Sequence, residues 1–305
     1  MRIVVTGGTG FVGTALVDSL LGRGDEVIIL TRGKAKPPAP SQGGTLEHRP
    51  WTPEEAGEWQ NVVDGADAVV HLAGAGVMDE RWTPERKALI RSSRVVSTEL
   101  LAKAIAGAKK KPDVLVSGSA VGFYGMREDD TTLTEEDPNG SDFLAELVRD
   151  WEKAAAPARD AGVRVCYPRI GIVLGKEGGA LKEMLPPFRA FVGGPVGAGT
   201  QWMAWIHLRD TVRAIEAMID RKDLEGIYNV SAPEPVTSNE FAKTIGKVLK
   251  RPSFMRVPAF ALKLALGESA AVLLTGQRAI PRKLVDAGFE FVFPDLTSAI
   301  EDLVS

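Results

Sequence analysis

The chain has 305 residues, enough for one large domain or two smaller ones and for a core that needs no covalent staples. Its 44% hydrophobic and 25% charged residues are ordinary globular values, and no apolar run approaches the ~18 residues of a membrane span. A formal net charge of -3 argues against a nucleic-acid or polybasic membrane role.

The N-terminus opens directly as Arg2-Ile3-Val4-Val5, with no hydrophobic leader region, so no signal peptide is expected. Ile3–Thr6 reads as a short strand. Phe11–Arg23 carries Val12, Ala15, Leu16 and Leu20 at helical spacing and ends near Gly24. Glu26–Thr31 is a second strand. Pro37-Pro38-Ala39-Pro40 with Gly43-Gly44 reads as a loop. Ala68–Leu72, Val114–Ser117 and Arg164–Ile170 are further strands, separated by helical stretches at Glu85–Ala108 and Phe143–Ala161. Lys109, Lys110 and Lys111 read as a solvated helix end. Apolar strands alternating with helices imply a doubly wound α/β fold of Rossmann type, its parallel sheet covered on both faces. The one cysteine, Cys166, has no partner for an internal disulfide. It reads as a small core residue in a reduced, cytoplasmic protein.

After Leu174 the alternation loosens. Residues 175–199 are rich in Gly and Pro around a short helix through Met184–Phe191. A helix and strand return at Arg209–Asp220 and Ile227–Val230. The tail holds a helix at Ser238–Leu249 with Thr237 and Glu240 at capping-box spacing, a strand around Met255–Val257, two more helices, and the alternating run Phe289–Phe293. The expected division is a dinucleotide-binding domain over 1–174 and 204–232, and a smaller, interleaved α/β substrate domain over 175–203 and 233–305.

The sharpest signal is Thr6-Gly7-Gly8-Thr9-Gly10-Phe11-Val12-Gly13, glycines at G-x-x-G-x-x-G spacing between a strand and a helix. Gly7 permits the tight turn, Gly10 lets backbone amides reach a pyrophosphate, and Gly13 lets the helix lie close on the sheet. The helix N-terminus then offers its unpaired N–H groups and positive dipole end to the phosphates, with Thr9, Phe11 and Val12 at that start. The next strand ends Leu30-Thr31-Arg32-Gly33-Lys34, without the acidic residue that would accept from a ribose 2′-hydroxyl. Arg32 is suited instead to clamp a 2′-phosphate, with Thr31 adding a hydroxyl, which selects NADP(H).

From these residues the chain resembles the extended short-chain dehydrogenase/reductase superfamily. Asp67-Ala68-Val69-Val70-His71-Leu72-Ala73-Gly74 is similar to its second signature, whose backbone passes beside the cofactor at Leu72, Ala73 and Gly74; His71 is then structural. A finer resemblance is to an atypical "epimerase family protein" branch. It rests on Arg81-Trp82, Ser93-Arg94, Asp142-Phe143-Leu144, Trp151-Glu152, Gly171–Gly175, Gly193-Gly194-Pro195, Trp205-Ile206-His207, and a tail, Leu274–Pro281 with Gly288–Pro294, similar to a domain of unknown function. The resemblance implies cofactor contacts at Arg94, Ser117, Pro168 and Val173 as well; for Arg94 the alternative is a surface salt bridge.

The superfamily's catalytic serine is matched by Ser119. Its Tyr-x-x-x-Lys falls on Phe143 and Leu147, or on Leu144 and Val148, and neither frame holds Tyr or Lys. Tyr124, five residues after Ser119, is the candidate substitute; the alternative is a tyrosine packed against the cofactor ring. Trp51 either stacks on adenine or fills an edge of the core. Gln201, Trp202 and Trp205 follow the Gly193–Gly199 loop, a region that faces substrate in epimerase-like folds; the alternative is a hydrophobic plug between domains. His207 and Asp210 match a structural His-x-x-Asp, with Asp210 expected to cap its own helix. No Cys/His cluster suggests a metal. Two readings stay open. One is an NADP(H)-dependent oxidoreductase or epimerase-like enzyme, with Ser119 and Tyr124 at the reacting centre and an unknown small molecule as substrate. The other is a noncatalytic NADP(H)-binding sensor or partner-binding protein. Monomer and homodimer are both compatible with the sequence, and neither a nucleic-acid nor a membrane partner is expected.

Overall fold

A computed structural model describes residues 1–34 and 36–305. Its centre is β1 (Arg2–Thr6), with β2 (Glu26–Thr31), β4 (Gly44–Pro50) and β3 (Lys36–Ser41) in order on one side. On the other side lie β5 (Ala68–His71), β6 (Val114–Ser117), Arg164–Ile170 and Gly226–Val230. All pair in parallel except β3, which runs antiparallel to β4 at the edge. The chain leaves β1 toward β2 and later returns past it to β5. The crevice of this doubly wound sheet therefore opens at the carboxyl ends of β1 and β5.

Period-two alternation sorts β1 between two cores. Ile3 and Val5 face α1 (Phe11–Gly22) and the helix Leu208–Asp220, through Leu16, Leu20, Ile215 and Met218. Val4 faces α2 (Pro84–Gly107) through Leu101 and Ile105. A third core joins the helices Gly179–Arg189, Ser238–Leu249 and Leu296–Val304 around Leu181, Phe188, Phe241, Ile300 and Trp205. The tail also enters the first core: Leu284 is fully buried there, with Phe289 and Phe291 against it.

Four local expectations are corrected. The proline-rich stretch expected as a loop is β3, hairpinned to β4 through Gln42 and Gly43, both at positive φ. Prolines are tolerated there because an edge strand has one row of N–H groups with nothing to pair, and Pro37 and Pro38 fall at the bulge between Lys36 and Ala39. The stretch 143–161 is two helices, α3 (Phe143–Ala154) and Ala156–Asp160. The second restarts with Pro157 in its first turn, where a missing N–H costs nothing. Around 255–257 only Val257 bridges, to Val196. Asp210 does not cap its own helix. Its carboxylate accepts the backbone N–H groups of Val292 (2.8 Å) and Phe293 (2.9 Å), pinning the tail, while His207 Nδ1 accepts from Arg209 N (3.0 Å) as the cap. The Thr237–Glu240 capping box is formed, and Cys166 is buried, its thiol pushed up to about 11 by burial. Among the described residues no helix is long and apolar enough to cross a membrane.

Candidate functional site

The crevice is built first by the glycine loop. Gly7 sits at φ +71°, where an L side chain is strained, and a Cβ on Gly13 would lie 2.0 Å from the Gly7 carbonyl oxygen. No side chain could be added at Gly13 without prising α1 from the loop. α1 starts with Gly10 as a cap that has no side chain, and no acid stands in its first turn. The N–H groups of Phe11, Val12 and Gly13, which lack carbonyls one turn back, are thus left for an anion. Phe11's ring wedges against Gly175 and Gly178, where any Cβ would come within 2.5 Å of it.

The second wall follows β5. A Cβ on Gly7 would lie 2.7 Å from the Leu72 carbonyl carbon, so the two loops touch. Thr6 Oγ1 lies 2.6 Å from His71 Nδ1, and Ser97 Oγ 3.2 Å from His71 Nε2. Ser97 donates to the Ser93 carbonyl (2.7 Å), so its oxygen is free to accept from Nε2–H while Nδ1 accepts from Thr6. Burial, with Arg94 adding to it, pulls the His71 pKa down to about 3. The ring is a neutral strut, as expected of a structural residue. Beyond it, Ser93 Oγ accepts Ala75 N–H (3.0 Å) and Arg94 donates to the Ala75 carbonyl (2.9 Å). The Arg94 guanidinium lies where a Gly74 side chain would be, 5.3 Å over the Trp151 ring. Burial, then Arg86, pulls its pKa to about 10. Arg94 is thus a half-buried cation bonded to carbonyls on the lip of the crevice.

At the tip of β2, Thr31 Oγ1 accepts the Gly33 N–H (3.2 Å) and Arg32 is exposed. A groove of about 660 Å³ runs from Arg32, Arg49 and Trp51 past Trp59 to Arg2. Trp51 packs edge-on against Trp59 and His71, and its buried indole N–H has no partner. Ser117, at the end of β6, likewise keeps a buried hydroxyl without a partner. These orphaned groups, and a glycine cradle that any Cβ would fill, fit a dinucleotide lying across the strand ends.

Next to this crevice stands a buried polar chain. Ser119 Oγ donates to Glu152 Oε1 (2.6 Å), and Arg169 grips the same carboxylate with Nε (2.8 Å) and Nη2 (2.9 Å). Arg169 Nη1 also donates to Tyr124 OH (3.1 Å), which in turn donates to Asn229 Oδ1 (2.7 Å). Asn229 N–H and Lys283 N–H both reach Glu135 Oε1, so the chain ends in the C-terminal segment. Burial works against the Arg169 charge, but Glu152 and then Tyr124 outweigh it and hold the guanidinium above its ordinary value.

The profile of the NAD dependent epimerase/dehydratase family matches residues 3–231, which include this whole crevice, and that of a domain of unknown function, DUF1731, matches 257–303. The chain belongs to the epimerase/dehydratase family. Among curated members it is 42% identical to the chloroplastic SDR39U1 homologue of Arabidopsis thaliana (100% of this chain, 87% of that protein). It is 36% identical to the epimerase family protein YfhF of Bacillus subtilis (100% and 98%). Its fold superposes on human SDR39U1, solved with NADPH, at a TM-score of 0.88, with 34% identity over 99% of both chains. The family's description is NAD dependent, and the "epimerase family protein" branch expected from the motifs is the one these relatives belong to.

Within this epimerase-family chain the expected reacting groups separate. Ser119 is 3% exposed and Glu152 borders it. Tyr124 is as buried, 1% exposed, with its hydroxyl held between Asn229 and Arg169, and burial pushes its pKa up to about 12 despite Arg169. Pro168 is buried in the strand Arg164–Ile170 where pairing to β6 has ended, and Val173 pairs with Ile206. Of the three expected substrate residues, Trp205 is a core residue, fully buried with its indole N–H on the Glu234 carbonyl (2.9 Å). Gln201 is buried and ties Val196 to Leu273 through its amide nitrogen. Trp202 alone is half-exposed, donating to Asp130 (2.8 Å) with Arg278 over its ring.

Sequence reasoning missed Glu152 and Arg169 as site residues. The available signal was Arg169 as the one charge inside the apolar run Val165–Ile170, with Glu152 one turn beyond Leu144 and Val148 on the charged helix α3. A charge inside a buried apolar strand needs an opposite partner from a neighbouring element.

Proposed function

We propose that this chain binds NADP(H) and acts as an oxidoreductase or epimerase-like enzyme on a small hydroxyl or carbonyl compound, with Ser119 and Glu152 moving the proton. The observation that carries this reading is the 2.6 Å bond from Ser119 to Glu152. In the frame that puts the absent tyrosine at Leu144 and lysine at Val148, Glu152 is one turn further along the same helical face. It supplies an acid–base group where the usual pair is missing.

Gly7–Gly13 would hold the pyrophosphate, Leu72–Gly74 with Arg94 would line its path, and Arg32 with Thr31 would take the 2′-phosphate. NADPH bound to human SDR39U1 supports that choice. When bound, the nicotinamide supplies the hydride donor or acceptor. The protein's own part is the proton. Ser119 spends its O–H on Glu152, which leaves its lone pairs to accept from a substrate hydroxyl. A Glu152 carboxylate gripped by Arg169 is acceptor-only. As the substrate hydroxyl gives its proton to Ser119, Ser119 passes its own to Glu152. Tyr124 is a positioning residue that fixes Arg169, and through it the carboxylate.

A panel of small alcohols and aldehydes, followed at the nicotinamide absorbance, tests this. Turnover on any of them that falls ~10²–10⁴-fold in Glu152→Gln, with NADPH binding intact, is the expected result. Turnover unchanged in Glu152→Gln would remove the relay. The sensor reading draws on the burial of Tyr124; NADPH binding with no turnover across the panel would favour it.

A further inference from the structure

We propose that the face made by residues 191–192 and 254–264 is a docking surface for a lipid–water interface bearing anionic headgroups. Three bulky side chains there stand almost fully in water: Phe254 is 77%, Phe260 74% and Leu264 77% exposed. Monomeric surfaces carry such residues singly, and a cluster of them marks an interaction site. Phe260 and Leu264 are one turn apart on Ala259–Leu266, a helix with no buried residue, so they share one face. Met255 N–H bonds to the Gly193 carbonyl (3.0 Å) and Val257 N–H to the Pro195 carbonyl (3.0 Å), which sets exposed Met255 beside exposed Phe191.

The face is held in place. Arg81 donates to the carbonyls of Leu264 and Ala265, and Lys87 pairs with Glu268 (2.6 Å) just past the helix end. An anchored apolar helix presents its side chains to something outside the chain.

Charge says what that is. Residues 241–267 hold six cations, Lys243, Lys247, Lys250, Arg251, Arg256 and Lys263, and no Asp or Glu. All six are exposed, and Arg251 lies over the Phe191 ring at 4.4 Å. Their partners among the described residues are backbone carbonyls, an aromatic ring and the amide of Asn239, with no carboxylate. The net charge of -3 averages this segment away. A second copy placed symmetrically on the face would set these cations against themselves. Protruding apolar side chains in a segment whose charges are all Lys or Arg, with Lys263 on the apolar helix itself and Arg251 over Phe191, are instead the composition that inserts at an anionic bilayer surface.

The test is flotation of the full chain with phosphatidylcholine vesicles, with and without 30% phosphatidylglycerol. Expected is binding to the anionic vesicles only, weakened by salt. Phe260→Ser with Leu264→Ser should weaken it at least tenfold, at unchanged circular dichroism. Lys250→Glu and Arg251→Glu should each weaken it about fivefold or more. Wild-type protein that stays with the pellet in anionic vesicles overturns the proposal. So does equal binding to neutral vesicles, or binding that the Phe260/Leu264 variant retains. A concentration-dependent dimer in light scattering that Phe260→Ser with Leu264→Ser abolishes gives the face to a second copy, and overturns it too.

Discussion

Ser119 and Tyr124 are close in sequence and have opposite fates. Both are buried, but the strand register puts Ser119 beside Arg169 and turns its hydroxyl to Glu152, whereas the Tyr124 hydroxyl is taken up by Asn229 and Arg169. Tyr124→Phe should therefore leave turnover within a few fold and cost stability. Removing the hydroxyl strands the buried Asn229 oxygen and an Arg169 N–H, worth ~1–3 kcal/mol in urea unfolding. Lost turnover at unchanged stability would return Tyr124 to the reacting centre. Ser119 was legible because one serine-rich motif carries it. Tyr124's burial was not, because a motif gives position along the chain and not what packs over it. His71 gives a pH prediction. Its folded pKa is about 3 against ~6.5 unfolded, so the unfolded chain binds the extra proton, and stability falls as pH drops through 6.5 toward 3. At pH 5 the loss from this group is about 2 kcal/mol. His207, also lowered by burial, adds a loss of the same sign. Thermal melts at pH 7 and pH 5 should show that slope, reduced in His71→Gln; an unchanged slope in the variant would place the titration elsewhere.

Among the elements, those with local rules were legible. The strand–glycine loop–helix unit, the Thr237–Glu240 cap and the alternating strands follow from spacing and steric demand. Gly13→Ala tests the first directly. Its Cβ must displace the Gly7 carbonyl, so calorimetry should show NADPH affinity reduced by at least tenfold, with the rest of the fold intact by circular dichroism. Unreduced affinity would mean the loop is not the cradle. β3 was illegible because prolines describe a backbone without donors, and only the sheet's edge decides whether donors are needed. Asp210 was misassigned for a related reason. A carboxylate at a helix start caps that helix unless a distant chain segment, here Val292 and Phe293, offers its own N–H groups.

At the scale of the molecule, the doubly wound sheet and its crevice were readable from the order of elements alone, since parallel strands with intervening helices have few ways to pack. How the tail folds back was not. Leu284 enters the first core, the Asp210 clasp joins residues 82 positions apart and Glu135 reaches Lys283 across 148, and no local pattern encodes such contacts. Through Glu135 and Asn229 the C-terminal segment joins the polar chain that holds Ser119, Glu152 and Arg169. The central claim is that this crevice holds NADP(H) by a 2′-phosphate clamp. Calorimetry of NADPH against NADH on the wild type and Arg32→Ala measures it most directly. Expected is a preference for NADPH of at least tenfold that largely disappears in Arg32→Ala, about the ~1.5–3 kcal/mol of a charged hydrogen bond. Equal affinity for the two cofactors, or a preference that survives Arg32→Ala, would contradict it.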